Sequence, residues 1–136
     1  GRNLFHLDGE NAARHLDRLL ALPEITGIQV QCTPQMEEPV KFWVPHLKRI
    51  LQAGKTAWIY AQKPEEIQLL MDQLPPEGLY IKTWCETEKD MDLLQRRVLD
   101  FTARPNNRAS VRRTKEDVCI KMQRPKPCLR RGKPDT

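Results

Sequence analysis

Hydrophobic and polar residues alternate along residues 1–102 in two patterns, and the pair of patterns repeats four times. Apolar runs of about five residues are typical of strands, while longer stretches with apolar residues three or four positions apart are typical of helices. A glycine lies shortly before each of the last three apolar runs, as is common in loops that lead from a helix into a strand. The predicted strands are Leu4–Asp8, Ile28–Cys32, Thr56–Tyr60 and Leu79–Trp84.

A helix is predicted after each strand. The first covers Glu10–Leu22 with Asp8 or Gly9 as its N-cap, the second and third begin at Pro39 and Pro64, and Thr87 caps the fourth. Proline is well tolerated in the first turn of a helix because its missing N–H has no partner there. The expected core stripes are Leu16, Leu19 and Leu20; Val40, Trp43, Leu47, Ile50 and Leu51; Ile67, Leu70, Met71 and Leu74; and Met91, Leu94, Val98 and Phe101.

Strands that alternate with helices indicate an α/β fold with a parallel sheet. A closed (β/α)₈ TIM barrel needs about 250 residues, so residues 1–102 would form half of one, as four consecutive βα units of a longer chain. The alternative is a small doubly wound sheet, whose strands are nearly continuous apolar runs. Gln29, Gln31 and Lys82 interrupt the predicted strands, which favours the barrel segment with a polar mouth.

The charge of the chain is divided unevenly. Residues 103–136 hold 11 Lys and Arg against 3 Asp and Glu, whereas residues 1–102 hold 12 against 15. The basic segment contains four prolines and no aromatic residue, a composition that predicts a disordered tail, with a short helix near Lys115–Met122. The tail is expected to be a solvated extension or sequence unrelated to the body; an arm that binds nucleic acid or another polyanion is the alternative.

Two further features narrow the class of protein. The sequence has no apolar run of the roughly 18 residues that a membrane span requires. Its four cysteines show no Cys-x-x-Cys spacing, which argues against a zinc ribbon and against a thioredoxin-type redox motif. We therefore expect a reduced, cytoplasmic protein that neither crosses a membrane nor binds nucleic acid.

Candidate chemistry lies at the ends of the first and last predicted strands. His6 and Asp8 are two residues apart and share one face of a strand, and Cys85 follows the fourth strand. Active sites of βα folds lie at the carboxyl ends of the strands, so these three residues are the predicted metal ligands. Cys32 also lies at a strand end, but it is not expected to belong to the site. Each has a structural alternative: a hydrogen bond inside the mouth for His6, a helix N-cap for Asp8, and a small buried side chain for Cys85.

Several segments together resemble the uroporphyrinogen decarboxylase superfamily. The resemblance covers roughly residues 3–102 and would correspond to the last four βα units of that family's (β/α)₈ barrel. The superfamily contains porphyrinogen decarboxylases and corrinoid-dependent methyltransferases that pass a methyl group to a thiol. The segments that carry the resemblance are Phe5–Gly9, Ala13–Leu20, Leu22-Pro23, Gly27–Gln29, Gly54-Lys55 and Gly78–Ile81.

The methyltransferase branch implies a zinc site. That branch holds zinc with a His-x-Cys pair and a later Cys; His6 and Cys85 match two of these positions, and Asp8 stands at the first Cys. Zinc accepts imidazole, carboxylate and thiolate ligands. The resemblance thus implies a zinc-dependent methyltransferase, with a corrinoid, carried by a corrinoid protein, as methyl donor and a small thiol as acceptor. The alternative is decarboxylation of a porphyrinogen, a tetrapyrrole, which needs no metal.

A half-barrel also has consequences for assembly. Its first and fourth strands would be open edges, and open edges pair readily with other strands. We therefore expect either a homodimer formed through these edges or poor solubility when the chain is expressed alone.

Overall fold

The computed structural model describes residues 2–103 and 119–123 of the chain. Its strands are all parallel and form one sheet in the order β1-β2-β3-β4-β5. In chain order the elements are β1 (Asn3–Asp8), a 3₁₀ helix (Glu10–His15), α1 (Leu16–Ala21), β2 (Ile25–Gln31), α2 (Pro39–Gln52), β3 (Thr56–Tyr60), α3 (Pro64–Gln73), β4 (Leu79–Trp84), α4 (Glu88–Ala103) and β5 (Cys119–Gln123).

The strand order confirms four consecutive βα units. A doubly wound sheet reverses its strand order at a switch point, and this sheet does not. Right-handed connections between strands that follow one another in both sequence and space place every helix on the same face. Burial agrees, because the buried side chains of the strands all point to that face: Leu7, Ile28, Val30, Ala57, Ile59, Leu79, Ile81 and Thr83. We call this face the helix side.

Helices α2 and α3 supply most of the cover on the helix side. Trp43, Leu47 and Ile50 of α2 are fully buried, as is Leu70 of α3. Burying one such side chain contributes roughly 1.5–3 kcal/mol. The predicted stripes of both helices are confirmed, except that Leu51 is only partly buried.

The first predicted helix is interrupted. Residues Glu10–His15 form a 3₁₀ helix, and the α-helix begins only at Leu16. Gly9 precedes the 3₁₀ helix with a φ of 74°, and its carbonyl accepts a bond from the N–H of Ala12. The N-cap interpretation of Asp8 is wrong, since Gly9 takes that position and no side chain caps the helix.

Strand β2 begins at Ile25, three residues earlier than predicted, so Gly27 lies within the strand. A Cβ on Gly27 would lie 3.0 Å from Leu4 Cδ1 and 3.3 Å from Thr56 Cβ. The glycine therefore permits close approach of neighbouring strands, and it is not the loop residue that the sequence predicted.

The basic tail is not wholly irregular. Cys119–Gln123 form β5, which pairs with β4 from Tyr80 to Trp84. The predictions of disorder and of a short helix near Lys115–Met122 are wrong for these five residues; the rest of the tail lies outside the described residues. Strand β4 is consequently not an edge.

Helix α4 packs more loosely than the others. Phe101 is its one buried residue, and Leu93 and Leu99 are 50% and 60% exposed. Thr87 caps the helix as predicted, because its Oγ1 accepts a bond from the N–H of Asp90. Among residues 2–103 and 119–123, none of the helices combines the length and the apolar character needed to cross a membrane.

Candidate functional site

The face of the sheet opposite the helix side is what we call the open face. The strand register aligns its side chains, for example Asp8 beside Gln31, Gln29 beside Trp58, and Tyr60 beside Lys82. No described helix covers this face. Between Leu4 and Trp84 it consists of Leu4, His6, Asp8, Gly27, Gln29, Gln31, Thr56, Trp58, Tyr60, Tyr80, Lys82 and Trp84.

The open face is polar and aromatic. At its carboxyl end lie a carboxylate (Asp8), an amide (Gln31), a phenol (Tyr60), an ammonium (Lys82) and an indole (Trp84), each exposed or half-exposed. The interior of a fully packed barrel is instead dominated by Val, Ile and Leu. This composition suits contact with a ligand that has both flat apolar and charged parts. Of the three tryptophans, Trp43 packs in the core as predicted, whereas Trp58 and Trp84 lie on the open face.

The structure places His6 and Asp8 together and Cys85 apart from them. His6 and Asp8 lie on the open face of β1. Cys85 follows β4, is 8% exposed, and comes after Trp84, so it falls on the helix side with Thr83. Strands β2 and β3 lie between β1 and β4. The distance from β1 to β4 is therefore three strand spacings, or about 14 Å.

This separation does not suit one zinc site. Zinc–ligand bonds are about 2.0–2.3 Å long, so ligand atoms of one ion lie within roughly 4 Å of each other. Within residues 2–103 and 119–123, no group of three His, Cys, Asp or Glu side chains is arranged to hold a metal ion. His6, Asp8 and Cys85 therefore do not fit the zinc set that the resemblance implies.

The two described thiols have the character of packing groups. Burial raises the pKa of Cys85, and the carboxylate of Asp90 adds to the effect. Burial also raises the pKa of Cys32 to about 11, with a smaller contribution from Glu66; its Sγ lies 3.9 Å from the carbonyl oxygen of Tyr60. Because the thiolate is the nucleophile and the metal ligand, both groups are poorly suited to either task at neutral pH.

The loops after β1 and β2 are joined at the carboxyl edge. The N–H of Gly9 donates to the carbonyl of Gln31 at 3.3 Å, and Thr33 Oγ1 donates to Glu10 Oε2. The bond from Thr33 and a backbone bond lower the pKa of Glu10. These contacts hold Asp8 beside Gln31. No sequence pattern indicates the Glu10–Thr33 pair, because its partners are 23 residues apart.

A cleft opens at the same edge, between α3 and α4, and its lining extends to Tyr60 and Trp84 at the carboxyl ends of β3 and β4. It has a volume of about 660 Å³, and Pro64, Ile67, Thr83, Cys85, Leu94 and Arg97 are among its lining residues. Thr83 is 1% exposed, and its Oγ1 has no hydrogen-bond partner among the described residues. The signal for it in the sequence is the hydroxyl of Thr83, at a position that continues the buried face of β4 after Leu79 and Ile81. We call this feature the α3–α4 cleft.

We compared the chain with models of protein families, with curated proteins and with solved structures, and none of the three comparisons gave a match.

Proposed function

We propose that the chain supplies one side of the ligand-binding mouth of a barrel enzyme related to the uroporphyrinogen decarboxylase superfamily, which residues 3–102 resemble. The main support is the open face, where Asp8, Gln31, Tyr60 and Lys82 occupy adjacent strands at the carboxyl edge. Ligands of parallel βα folds bind at this edge. The free thiols of Cys32 and Cys85 suit the reducing environment of the cytoplasm, which we propose as the compartment.

The proposed ligand is a tetrapyrrole. Such a molecule has a wide, flat macrocycle with carboxylate or amide groups at its rim. Trp58, Tyr60, Tyr80 and Trp84 offer aromatic surface to the macrocycle, and Lys82 offers a cation to a rim carboxylate. Both reactions of the superfamily involve such a molecule, either as a corrinoid methyl donor or as a porphyrinogen substrate.

Methyl transfer from a corrinoid to a small thiol is the first candidate reaction, on the strength of the resemblance. Zinc would activate the acceptor thiol in that reaction, but His6, Asp8 and Cys85 do not form one site, so we assign no step to a metal. In this proposal Lys82 and Gln31 bind and orient the donor or the corrinoid protein that carries it. Decarboxylation of a porphyrinogen is the second candidate, and the separation of Cys85 from His6 favours it because that reaction needs no metal.

A third candidate belongs to another class, a non-catalytic protein whose basic tail binds polyanions. Most of the residues that would carry it lie outside the described part of the chain. If the chain has this function, its affinity for DNA is expected to fall steeply as the salt concentration rises. Deletion of residues 103–136 is expected to abolish the binding. Binding that survives the deletion would argue against it.

Titration of the full chain with uroporphyrin and, separately, with hydroxocobalamin tests the proposal. Saturable binding of at least one of the two tetrapyrroles is the expected result. Binding is expected to weaken about 10-fold in Lys82→Gln, and not in the α2 surface variant Lys48→Gln, since 1.4 kcal/mol corresponds to a factor of ten. Preference for cobalamin would favour methyl transfer, and preference for uroporphyrin would favour decarboxylation. Absence of saturable binding to both would overturn the proposal.

Zinc content provides a separate test of the metal-dependent version. The wild-type chain could bind zinc stoichiometrically and lose it in both His6→Ala and Cys85→Ala. That result would show that the two residues hold the same ion, and it would contradict the geometry. Zinc that is unaffected by either change would leave the tetrapyrrole proposal intact without the predicted ligand set.

A further inference from the structure

The α3–α4 cleft belongs to the same carboxyl edge as the proposed binding mouth. Tyr60 and Trp84, which end β3 and β4 on the open face, line it together with Thr83 and Cys85. The cleft therefore spans the strand ends and continues the mouth. Its volume of about 660 Å³ falls in the range of pockets that hold small organic molecules. A ligand in the cleft would lie beside one bound on the open face.

The charges that line the cleft are predominantly negative. Glu86 and Asp90 are carboxylates, and Arg97 is the one basic residue among the described residues of the lining. Arg97 also lines a neighbouring depression between α3 and α4, together with Glu65 and Asp100, so carboxylates lie near it on that side as well. The cleft is therefore mildly acidic.

The field of Asp90 extends to the floor of the cleft. Burial raises the pKa of Cys85, and the carboxylate of Asp90 adds to this rise. The carboxylate is held in place by a bond that it accepts from Thr87 Oγ1 at 2.6 Å. A field that disfavours a thiolate favours a cation at the same place. The floor is thus suited to a positive group and unsuited to an anion.

Thr83 supplies an independent observation that points to a ligand. Its side chain lines the cleft and is 1% exposed, and its Oγ1 has no hydrogen-bond partner among the described residues. Almost all buried polar groups in proteins are bonded. A hydroxyl oxygen can accept as well as donate, so an N–H group of a ligand that reaches the floor would satisfy it.

Tyr60 and Trp84 add aromatic surface where the cleft meets the open face. Trp84 is 38% exposed and Tyr60 is half-buried. Rings of tryptophan and tyrosine attract cations to their faces, and they also offer apolar contact. Ile67 and Leu94 extend the apolar part of the lining. An organic cation with an apolar body matches the rings, the carboxylates and the hydroxyl together.

We propose that the α3–α4 cleft binds a small primary amine with an apolar body, in its ammonium form, as a second ligand of the binding mouth. The ammonium group donates a hydrogen bond to Thr83 Oγ1 and lies in the field of Glu86 and Asp90, while the body contacts Trp84 and Leu94. The place of the amine in the mouth rests on the proposed function, whereas its binding to the cleft needs no tetrapyrrole.

Nuclear magnetic resonance titration of the full chain with 2-phenylethylamine at neutral pH, without a tetrapyrrole, tests the proposal. We expect saturable shifts of residues in α3, α4 and the end of β4. The anion 3-phenylpropanoate is expected to bind at least about 10-fold more weakly, because carboxylates repel it. The N,N,N-trimethyl derivative of the amine is expected to bind about 5-fold more weakly, because it has no N–H for Thr83.

Two results of these titrations would overturn the proposal. Equal binding of the amine and 3-phenylpropanoate would show that the cleft does not select a cation. Absence of saturable binding, or shifts confined to parts of the chain outside the cleft, would show that the amine does not occupy it.

Glu86→Lys tests the charge of the cleft. It is expected to weaken binding of the amine about 5-fold or more, because it replaces an attractive charge with a repulsive one. Glu88→Lys is the matched control, since Glu88 is an exposed carboxylate of the first turn of α4 and lies outside the described lining of the cleft. Equal effects of the two substitutions would contradict the role of Glu86.

Thr83→Val and Thr83→Ser separate ligand binding from a merely structural role. Valine removes an unpartnered buried hydroxyl at nearly constant shape, so the free protein is expected to unfold a few degrees higher, while binding of the amine weakens about 5-fold or more. Serine keeps the hydroxyl and is expected to keep the binding. Unchanged binding in Thr83→Val, or equal loss in both variants, would overturn the contact with Thr83.

Lys82→Gln distinguishes this inference from the proposed function. Lys82 lies on the open face and outside the described lining of the cleft, so its substitution is expected to weaken tetrapyrrole binding and not binding of the amine. Amine binding in a chain that binds no tetrapyrrole would overturn the proposed function alone. Tetrapyrrole binding in a chain that binds no amine would overturn the second ligand alone.

Discussion

At the scale of single residues, Lys55 joins two parts of the fold at the amino-terminal edge of the sheet. Its Nζ donates to the carbonyls of Leu22 and Ile25, at 2.8 and 2.5 Å. Leu22 is the C-cap of α1, where a cation is favourable because carbonyl groups there lack helical partners. The residue thus fixes the loop that carries the chain from α1 into β2.

We expect Lys55→Met to lower the free energy of unfolding by about 1–3 kcal/mol, because it removes charge-assisted hydrogen bonds to backbone carbonyls. Urea denaturation measures this change. Lys48→Met is the matched control. Within the described part of the chain, the hydrogen bond of Lys48 is to the exposed side chain of Gln73, and its loss is expected to cost less than about 0.5 kcal/mol. Equal effects of the two substitutions would contradict the role of Lys55.

The Cys32 thiol gives a second prediction at this scale. Its pKa of about 11, against an ordinary value of 9.0, reduces the thiolate fraction at pH 8 about 100-fold, and iodoacetamide reacts with the thiolate. Labelling of Cys32, followed by mass spectrometry, is expected to be slower by about this factor in the folded chain than in guanidinium. Labelling at equal rates in both states would show that the thiol is not desolvated.

The raised pKa of Cys32 also sets the sign of a pH effect. The folded state keeps the proton to a higher pH than the unfolded state, so the contribution to stability is complete below pH 9 and is lost as the pH rises towards 11. The wild-type chain is therefore expected to lose more stability than Cys32→Ala over this range. A larger loss in the variant would contradict the direction of the shift.

At the scale of elements, the carboxylate of Glu66 holds the start of helix α3 in place. Glu66 Oε2 accepts from the backbone N–H groups of Gln62 and Lys63, at 2.9 and 3.0 Å. These bonds fix the chain where it leaves β3 at the carboxyl edge. They also occupy donors at the N-terminus of α3, which makes that terminus a poor anion site.

We expect Glu66→Ala to destabilise the chain by about 1 kcal/mol, the usual cost of a lost cap. Glu65→Ala is the matched control, because it removes a carboxylate from the same helical turn while leaving both bonds in place. The measurement is the urea midpoint of each variant. If both variants shift by the same amount, the helix dipole accounts for the effect and the cap does not.

The elements differ in how well the sequence predicts them. The starts and stripes of α2 and α3 follow from Pro39, Pro64 and dense apolar spacing, and the structure confirms them. The 3₁₀ helix after Gly9 and the place of Gly27 inside β2 depend on contacts with other strands. Strand β5 was missed because its pairing with β4 is a long-range interaction that local composition does not encode.

At the scale of the whole molecule, the sheet divides the candidate chemistry into two sides. Sequence spacing predicts correctly that His6 and Asp8 share a face, since the period of a strand is two. It does not reveal on which face Cys85 falls or how many strands separate it from His6; both depend on strand order. The α3–α4 cleft also depends on helix packing, so only Thr83 could have indicated it.

The β1 edge of the sheet gives a prediction of self-association. No described strand pairs with the outer side of β1, and Leu4 and Phe5 are 48% and 40% exposed. Analytical ultracentrifugation is expected to show a dimer that dissociates on dilution. Leu4→Lys is expected to weaken the dimer about 10-fold because charge on an edge strand opposes pairing, whereas Leu99→Lys on α4 is expected to have no effect. A monomer at all concentrations would contradict this prediction.

Disulfide mapping tests the division of the molecule most directly. In a chain whose other cysteines are replaced by alanine, we expect the register neighbours Gln29→Cys and Trp58→Cys, on the open face, to form a disulfide on mild oxidation. A second chain that retains Cys85 and carries His6→Cys is expected to form none while folded, because the two sulfur atoms lie on opposite sides of the sheet. Rapid formation of the 6–85 disulfide in the folded chain would contradict the account.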